Sequence, residues 1–428
     1  MINTFVKTCQ EQNKKTAFVV KGKEISFSRL LTDVHKMGNL IRERVVNPGK
    51  GVLLLVPPSY EFYVLLFACI YCGIPVVVMD SYRDLSKVCR TMEKNGITQV
   101  FCNRLTGLLQ LKFPKDTHFI RVSDYGRYPN SAPCKNTDPE KIVLTTFTSG
   151  TTGDPKPIHR SIRALQMQVA AVGEIIGMDG KDVVYASLPI YALLAVYSGL
   201  TCVIGKKATP GLLRRHGVNT MIAPLAQLLQ TDQTMPFVEK LCFGGAILYT
   251  RQAELLLRHF PNAETHYIYG ATECALIAHT SIDHYLKHRF AMADPAGDVT
   301  LSIHDPDENG IGRIRVTGST VLTGGAFLSG DLGYLDSEGL HIVGRAAYSL
   351  PGKYNYLVDD LLLSENPKVT KGFFFASGGN AYICYQGKLT RSHPGIHYVR
   401  FRKLPMDAKH KTKLDYRAVI RQIEKRES

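Results

Sequence analysis

The residues best suited to chemistry form one run, Thr145-Thr146-Phe147-Thr148-Ser149-Gly150-Thr151-Thr152-Gly153-Asp154-Pro155-Lys156. A β-branched stretch leads into hydroxyl and glycine residues and ends at a lysine. Glycine has no Cβ, so neighbouring backbone N–H groups can point inward together around an anion. Gly150 and Gly153 supply that freedom. Thr148, Ser149, Thr151 and Thr152 add hydroxyl donors, and Lys156 adds a point charge. The combination suits a polyphosphate. It is not a P-loop, because the G-x-x-x-x-G-K-[ST] spacing is absent. A short Ser/Thr/Gly loop taken alone is more often a plain connector; the full run in this order is far more specific.

Other residues could complete such a site. Tyr269 offers a flat face to a base, and Gly270 permits close backbone approach, although a tyrosine ending an apolar run also suits a core. Thr272 can donate to a phosphate oxygen. Glu273 is a hard oxygen ligand suited to Mg²⁺ or a plain surface carboxylate. Asp331, between Gly330 and Gly333, reads as a turn residue, and such carboxylates usually cap their own backbone. Lys413 lies in a basic tail where Lys409 and Lys411 compete with it.

These residues need elements to position them. Short β-branched runs at 51–56, 76–79, 100–102 and 118–122 alternate with helical patterns at 61–72 and 86–95. A Pro/Asn/Ser/Gly-rich loop at 124–139 precedes a strand at 141–146, which feeds the hydroxyl-glycine run. A helix at 161–176, a strand at 183–187, a strand at 241–243, a helix at 251–259 and a strand at 264–268 follow. This rhythm predicts an α/β fold with parallel strands buried on both faces. Beyond 290, strands at 299–303, 312–317, 332–335 and 340–343, separated by Gly and Asp turns, predict a β subdomain. Strands at 372–375, 381–385 and 397–401 and a basic amphipathic helix at 416–425 end the chain. The boundary is placed at 345–347. A large N-terminal domain of mixed, mostly parallel sheets with helices (1–344, β subdomain about 290–344) is expected before a small, mobile α+β C-terminal domain (345–428).

The 428 residues suggest about three domains by length alone, and two unequal ones fit equally well. With 45% hydrophobic and 21% charged residues the chain is neither collagen-like, coiled-coil nor largely disordered. Ten scattered cysteines are too few for a disulfide scaffold and suit a reducing, cytoplasmic setting; Cys69-x-x-Cys72 lacks a second pair and reads as core packing. The apolar stretch 63–79 is broken by Gly73 and Pro75, so a buried helix and strand are expected, with no transmembrane segment and no signal peptide. The net charge of +15 admits nucleic acid, a membrane surface or an anionic substrate. No groove-reading motif accompanies it, so no nucleic-acid partner is expected.

The constellation resembles the adenylate-forming (AMP-binding) superfamily of acyl-CoA synthetases, peptide-synthetase adenylation domains and luciferases. The 145–156 run is similar to that family's signature, and Gly244-Gly245-Ala246 to its adenine-side turn. Tyr269-Gly270-Ala271-Thr272-Glu273 is similar to its aromatic-Gly-x-Thr-Glu motif. Ser329-Gly330-Asp331 with Gly333-Tyr334 resembles its Gly-Asp motif, Gly344-Arg345 its hinge, and Leu404-Pro405 with Lys413-Leu414-Asp415 its closing lysine motif. The resemblance covers essentially the whole chain. It implies a nucleotide site built from the signature, glycine-turn and Tyr269 motifs, with Asp331 on both ribose hydroxyls and Arg345 on ribose or phosphate. It implies Lys156, Thr272, Glu273 and Lys413 as catalytic residues. Glu273 would hold Mg²⁺, and Lys413 would neutralise charge developing between a carboxylate and the α-phosphate; His410 could assist. ATP, Mg²⁺ and coenzyme A are the implied cofactors. A carboxylic acid would attack the α-phosphorus of ATP to give acyl-AMP and pyrophosphate. The acyl group would then pass to the thiol of coenzyme A or of an acyl carrier protein.

The 188–194 segment corresponds to the family's acyl pocket. It lacks the aspartate that peptide-synthetase domains set against an amino group, and an uncompensated buried ammonium costs several kcal/mol. α-Amino acids are therefore expected to be poor substrates. Tyr191, Ala192, Ala195 and Gly199 favour an apolar acyl or aryl group, and suit core packing equally well. The 188–203 stretch and Pro405 to Lys413 resemble most the subgroup of fatty acyl-CoA ligases and olefin-pathway β-lactone synthetases, which implies fatty acid metabolism. Pro157 replaces a usual glycine, Ala346-Ala347 replaces an acidic or lysine hinge residue, and the terminal domain is short. These departures put the second half-reaction in question. A β-lactone synthetase acting on a 3-hydroxy acid and a non-catalytic nucleotide-binding relative are the competing readings.

Overall fold

The computed structural model describes residues 1–79, 82, 84–147, 156–205, 209–406 and 414–427. They fall into two compact units, Met1–Ile222 and Ala223–Ser428.

In the first unit, Val52–Leu55 is buried at every position, as a strand covered on both faces must be. It lies within a six-stranded sheet ordered His118–Arg121, Gln99–Cys102, Val52–Leu55, Val76–Val77, Ile142–Phe147, Pro157–Ser161. The pairs are parallel except the last, an antiparallel hairpin. The helix Tyr60–Cys72 is apolar nearly all round. Ser59 caps its start (Phe62 N–H to Oγ, 3.3 Å), and Gly73 ends it at φ 69°. The helix Phe27–Arg44 packs on it, which accounts for its burial. Among the described residues no helix is long and apolar enough to cross a membrane. Burial pushes the Cys72 thiol up to about 12, so the Cys69-x-x-Cys72 pair is inert core.

A second sheet runs Thr220–Pro224, Val183–Ala186, Thr201–Ile204, Thr16–Val20, Lys23–Ser26, parallel except for the last hairpin. That hairpin, the helix Ile2–Glu11 and the helix Phe27–Arg44 are absent from the sequence reading. The strand expected at 76–79 is only Val76–Val77, and the loop expected at 124–139 begins inside a 3₁₀ turn, Val122–Arg127.

In the second unit, Lys240–Gly244 and Glu264–Tyr269 pair in parallel, and Ala278–Thr280 returns antiparallel. The expected β subdomain is an antiparallel sheet ordered Ala291–Met292, Gly339–Arg345, Ala326–Asp336, Gly312–Thr317, Thr300–His304. A small third sheet joins Val369–Ser377, Asn380–Gly387 and His397–Arg400, with helices Asn355–Glu365 and Tyr416–Glu427 beside it. Its hairpin turns at Gly378 (φ 57°) and Gly379 (φ 79°), a left-handed pair that side-chain-bearing residues rarely adopt. The α/β class with parallel sheets and a separate small C-terminal sheet therefore holds.

Candidate nucleotide and active site

Asp331 organises the site in the second unit. It is not a turn residue, as its flanking glycines suggest, but lies inside the strand Ala326–Asp336, directly opposite Arg345. The register decides this: the pairing with Gly339–Arg345 runs from Asp331 to Asp336. Asp331 is buried, with 8% exposure, so its charge needs partners. Arg345 Nε donates to Oδ1 at 2.9 Å, Tyr269 OH to Oδ2 at 2.9 Å, and Tyr356 OH to Oδ1 at 3.4 Å. The carboxylate raises the Arg345 guanidinium above its ordinary value. Burial first, then the Asp331 charge, pushes the Tyr269 and Tyr356 hydroxyls well up, so both remain donors. Tyr269, Asp331 and Arg345, far apart in sequence, thus meet in one network. Tyr356 has no motif around it and is missed by sequence reasoning.

The glycines divide by cause. A Cβ on Gly270 would lie 2.1 Å from the Ala275 carbonyl oxygen, and one on Gly244 2.5 Å from that of Ile268. Both are therefore required by the protein's own backbone. Gly245 differs: it is exposed, sits at φ 85°, and faces open space. Ala246 is held next to it by Tyr267 OH, which donates to its carbonyl at 2.9 Å. Beyond Tyr269, the Ala271 N–H donates to Cys274 O at 2.8 Å, curling the loop that carries Ala271, Thr272 and Glu273. Glu273 is anchored by its own carbonyl, which accepts from Leu322 N–H at 2.9 Å. Its side chain is half-buried, and among the described residues none is recorded bonding its carboxylate. That leaves a hard oxygen donor fit for Mg²⁺.

In the first unit the described ends of the signature run lie on two antiparallel strands, Ile142–Phe147 and Pro157–Ser161. Phe147 pairs with Pro157 and Thr146 with Ile158. Thr145 Oγ1 lies 2.9 Å from His159 Nδ1, and Arg160 Nη1 donates to Thr146 Oγ1 at 2.6 Å. The strand Ile142–Phe147, parallel to Val76–Val77, ends at Phe147, and the carboxyl ends of strands are where open α/β sheets bind ligands. Thr148, Ser149, Gly150, Thr151, Thr152 and Gly153 lie outside the described residues; Lys156 is exposed at the return of the hairpin.

Lys413 and His410 also lie outside the described residues. The flanks of their segment are described. Met406 bridges Leu414, and Asp415 N–H donates to Pro405 O at 2.9 Å. Tyr416 stacks at 3.6 Å on Tyr348, three residues after Arg345. Ser349 and Asn355 hold the backbone there: Arg345 N–H donates to Asn355 Oδ1 at 2.6 Å, and Ser349 Oγ–H at 3.1 Å.

The residues expected to line an acyl pocket share the helix Pro189–Tyr197 and its end. Ala192 and Ala195 are fully buried, and a Cβ on Gly199 would lie 2.4 Å from Gln12 Nε2. Packing accounts for these three. The accessible part is the helix start, where Leu188, Pro189, Ile190 and Tyr191 are exposed or half-buried. Ser187 Oγ, just before it, is buried without a hydrogen-bond partner among the described residues.

A family model described as AMP-binding enzyme matches residues 5–330. The chain belongs to the AMP-binding enzyme family. This AMP-binding enzyme is 25% identical over 324 residues to the 2-succinylbenzoate–CoA ligase of Staphylococcus epidermidis, covering 69% of its own length and 67% of that protein. Two solved structures share its fold. The o-succinylbenzoate coenzyme A synthetase (MenE) of Bacillus subtilis with ATP and magnesium superposes with a TM-score of 0.82 at 19% identity, covering 96% of this chain and 98% of that one. ATP-bound MatB of Rhodopseudomonas palustris gives 0.83 at 17% identity, covering 98% of each chain. The adenylate-forming resemblance and the fold read from sequence both hold. Among these named relatives none is a fatty-acid enzyme, so the fatty acid metabolism expectation finds no support.

Proposed function

We propose that the enzyme is an AMP-forming acid–thiol ligase. It condenses a carboxylic acid with ATP to acyl-AMP and pyrophosphate, then transfers the acyl group to the thiol of coenzyme A or a carrier protein. The observation that carries this reading is the Tyr269–Asp331–Arg345 network in a chain matched by the AMP-binding family over residues 5–330. The Asp331 carboxylate receives the ribose hydroxyls, and Arg345 rotates toward ribose or phosphate. Tyr269 lies along the base beside the Gly245 turn. Residues 148–153 and Lys156 are assigned to the phosphates, and Thr272 to the α-phosphate. Glu273 would hold Mg²⁺, which neutralises phosphate charge when bound. Lys413 meets the charge developing between carboxylate and α-phosphorus. The 345–428 segment acts as the domain that brings it there.

For the acid, an aryl or other apolar group is favoured. The half-buried apolar start of the helix Pro189–Tyr197 offers packing surface and no carboxylate, and the two 2-succinylbenzoate–CoA ligases of Staphylococcus epidermidis that the enzyme resembles are named for an aromatic acid. The deciding experiment measures pyrophosphate release across aryl, fatty, 3-hydroxy and amino acids, with and without coenzyme A, and identifies products by mass. An acyl-CoA from an aryl or apolar acid is the expected result. Robust exchange with an amino acid would refute the pocket assignment. A β-lactone formed without thiol from a 3-hydroxy acid would replace the acceptor. ATP binding with no turnover on any acid would leave a nucleotide-binding relative.

A further inference from the structure

Away from the nucleotide network, three metal-ligating side chains converge within the second unit. The short helix Ile282–Lys287 carries His284 and is followed at once by His288. Residues four apart lie on one helical face, and the two imidazoles stack with centroids 4.4 Å apart and 29° between planes. The turn joining strands Ala326–Asp336 and Gly339–Arg345 brings Glu338 against them. Its Oε2 lies 3.0 Å from His288 Nδ1, and its carbonyl oxygen 3.0 Å from His284 Nε2. One ligand atom from each of the three residues falls within 4.8 Å of the others, and all three side chains are half-buried.

We propose that His284, His288 and Glu338 form a binding site for a divalent transition-metal ion, Zn²⁺ above all. Two imidazoles and one carboxylate suit Zn²⁺, Co²⁺ or Ni²⁺, whereas Mg²⁺ prefers oxygen alone. With bonds of ~2.0–2.1 Å, tetrahedral ligands sit about 3.3 Å apart. His288 Nδ1 and Glu338 Oε2 are already near that spacing, and a modest ring rotation of His284 supplies the third. An ordinary ion pair explains His288 alone. The second imidazole, stacked on the first with its Nε2 beside the Glu338 carbonyl, lets one shared cation engage both rings. The turn is also held from behind. Asp336 Oδ1 accepts from Glu338 N–H at 2.8 Å and lies 3.0 Å from His341 Nε2. His341 Nδ1 lies 3.0 Å from the Arg289 carbonyl, and Tyr334 stacks on the ring at 4.3 Å. Such outer contacts orient ligands before metal arrives. The ion, with water in its fourth position, ties the helix to the hairpin whose strands carry Asp331 and Arg345.

The test uses the full chain, stripped with chelator and titrated with Zn²⁺ alone. We expect one equivalent bound and not displaced by Mg²⁺, at least tenfold weaker in Glu338→Gln and lost in the His284→Gln/His288→Gln double variant. Co²⁺ should give visible absorption bands in the parent only. A measurement without variants stands beside it: Zn²⁺ should protect His284 and His288 from diethyl pyrocarbonate, read by peptide mass. Zn²⁺ binding no tighter in the parent than in the double variant would overturn the proposal, as would unchanged labelling of both histidines.

Discussion

Asp331 carries more partners than any other residue of the nucleotide network, and removing its charge separates two roles. Asp331→Asn leaves the Arg345 guanidinium without its counter-charge in a half-buried place, at a cost of about 1–3 kcal/mol in unfolding free energy. It also removes the ribose acceptor, so nucleotide affinity should fall tenfold or more. Tyr269→Phe deletes only the 2.9 Å bond to Asp331 and keeps the flat face, costing about 1 kcal/mol of stability with little change in nucleotide affinity. Urea titration and ATP calorimetry on the two variants measure both. If Asp331→Asn binds ATP as tightly as the parent, the carboxylate is purely structural.

Elements are held to one another in the second unit by contacts that titrate. Asp359, fully buried on the helix Asn355–Glu365, accepts from Tyr249 OH at 2.7 Å and from the Phe374 N–H. Asp360 accepts from Thr250 N–H at 2.7 Å, at the start of the helix Thr250–His259. Burial raises both carboxyls above the ordinary 3.8. The folded chain therefore keeps protons that the unfolded chain has released, and these groups make stability fall as pH rises from about 4 toward the raised values. Asp359→Asn removes the larger part of that dependence, so the parent should lose stability relative to the variant across this window in parallel melts. Parallel curves would refute the assignment. The strand-to-loop junction makes a second prediction. Gly270→Ala, with its Cβ 2.1 Å from Ala275 O, should cost about 1–3 kcal/mol by overpacking in urea unfolding. Gly245→Ala should cost only the left-handed strain of about 1–2 kcal/mol.

At the scale of the whole chain, the proposed reaction assigns the charge-neutralising role to Lys413. Met406 bridges Leu414 and Tyr416 stacks on Tyr348, so the described residues on either side of the 407–413 stretch are tied to those following Arg345. In that proposal Lys413 acts on the reacting bond rather than on bound ATP. Lys413→Ala should lower adenylate formation by about 10²–10³-fold while sparing ATP affinity. Pyrophosphate release and ATP calorimetry on the same preparation check this. Unchanged release would shift the role to Lys409 or Lys411, the competing cations of the tail.

Local composition was enough for the βαβ rhythm, the antiparallel β subdomain and the order of the motifs. Strands buried on both faces need unbroken apolar runs such as Val52–Leu55, and phosphate loops need glycine and hydroxyls in close succession; both are short-range demands written in adjacent residues. Partnership across distance is different. Nothing adjacent to Asp331 says that it faces Arg345 across a strand pair, that Tyr356 reaches it from a helix, or that Gly270 exists to clear Ala275 rather than a ligand. The stacked histidines beside Glu338 were equally hidden, since helix and hairpin meet only after folding. Register and packing bring such residues together, and both depend on pairings between segments tens of residues apart that no local pattern encodes.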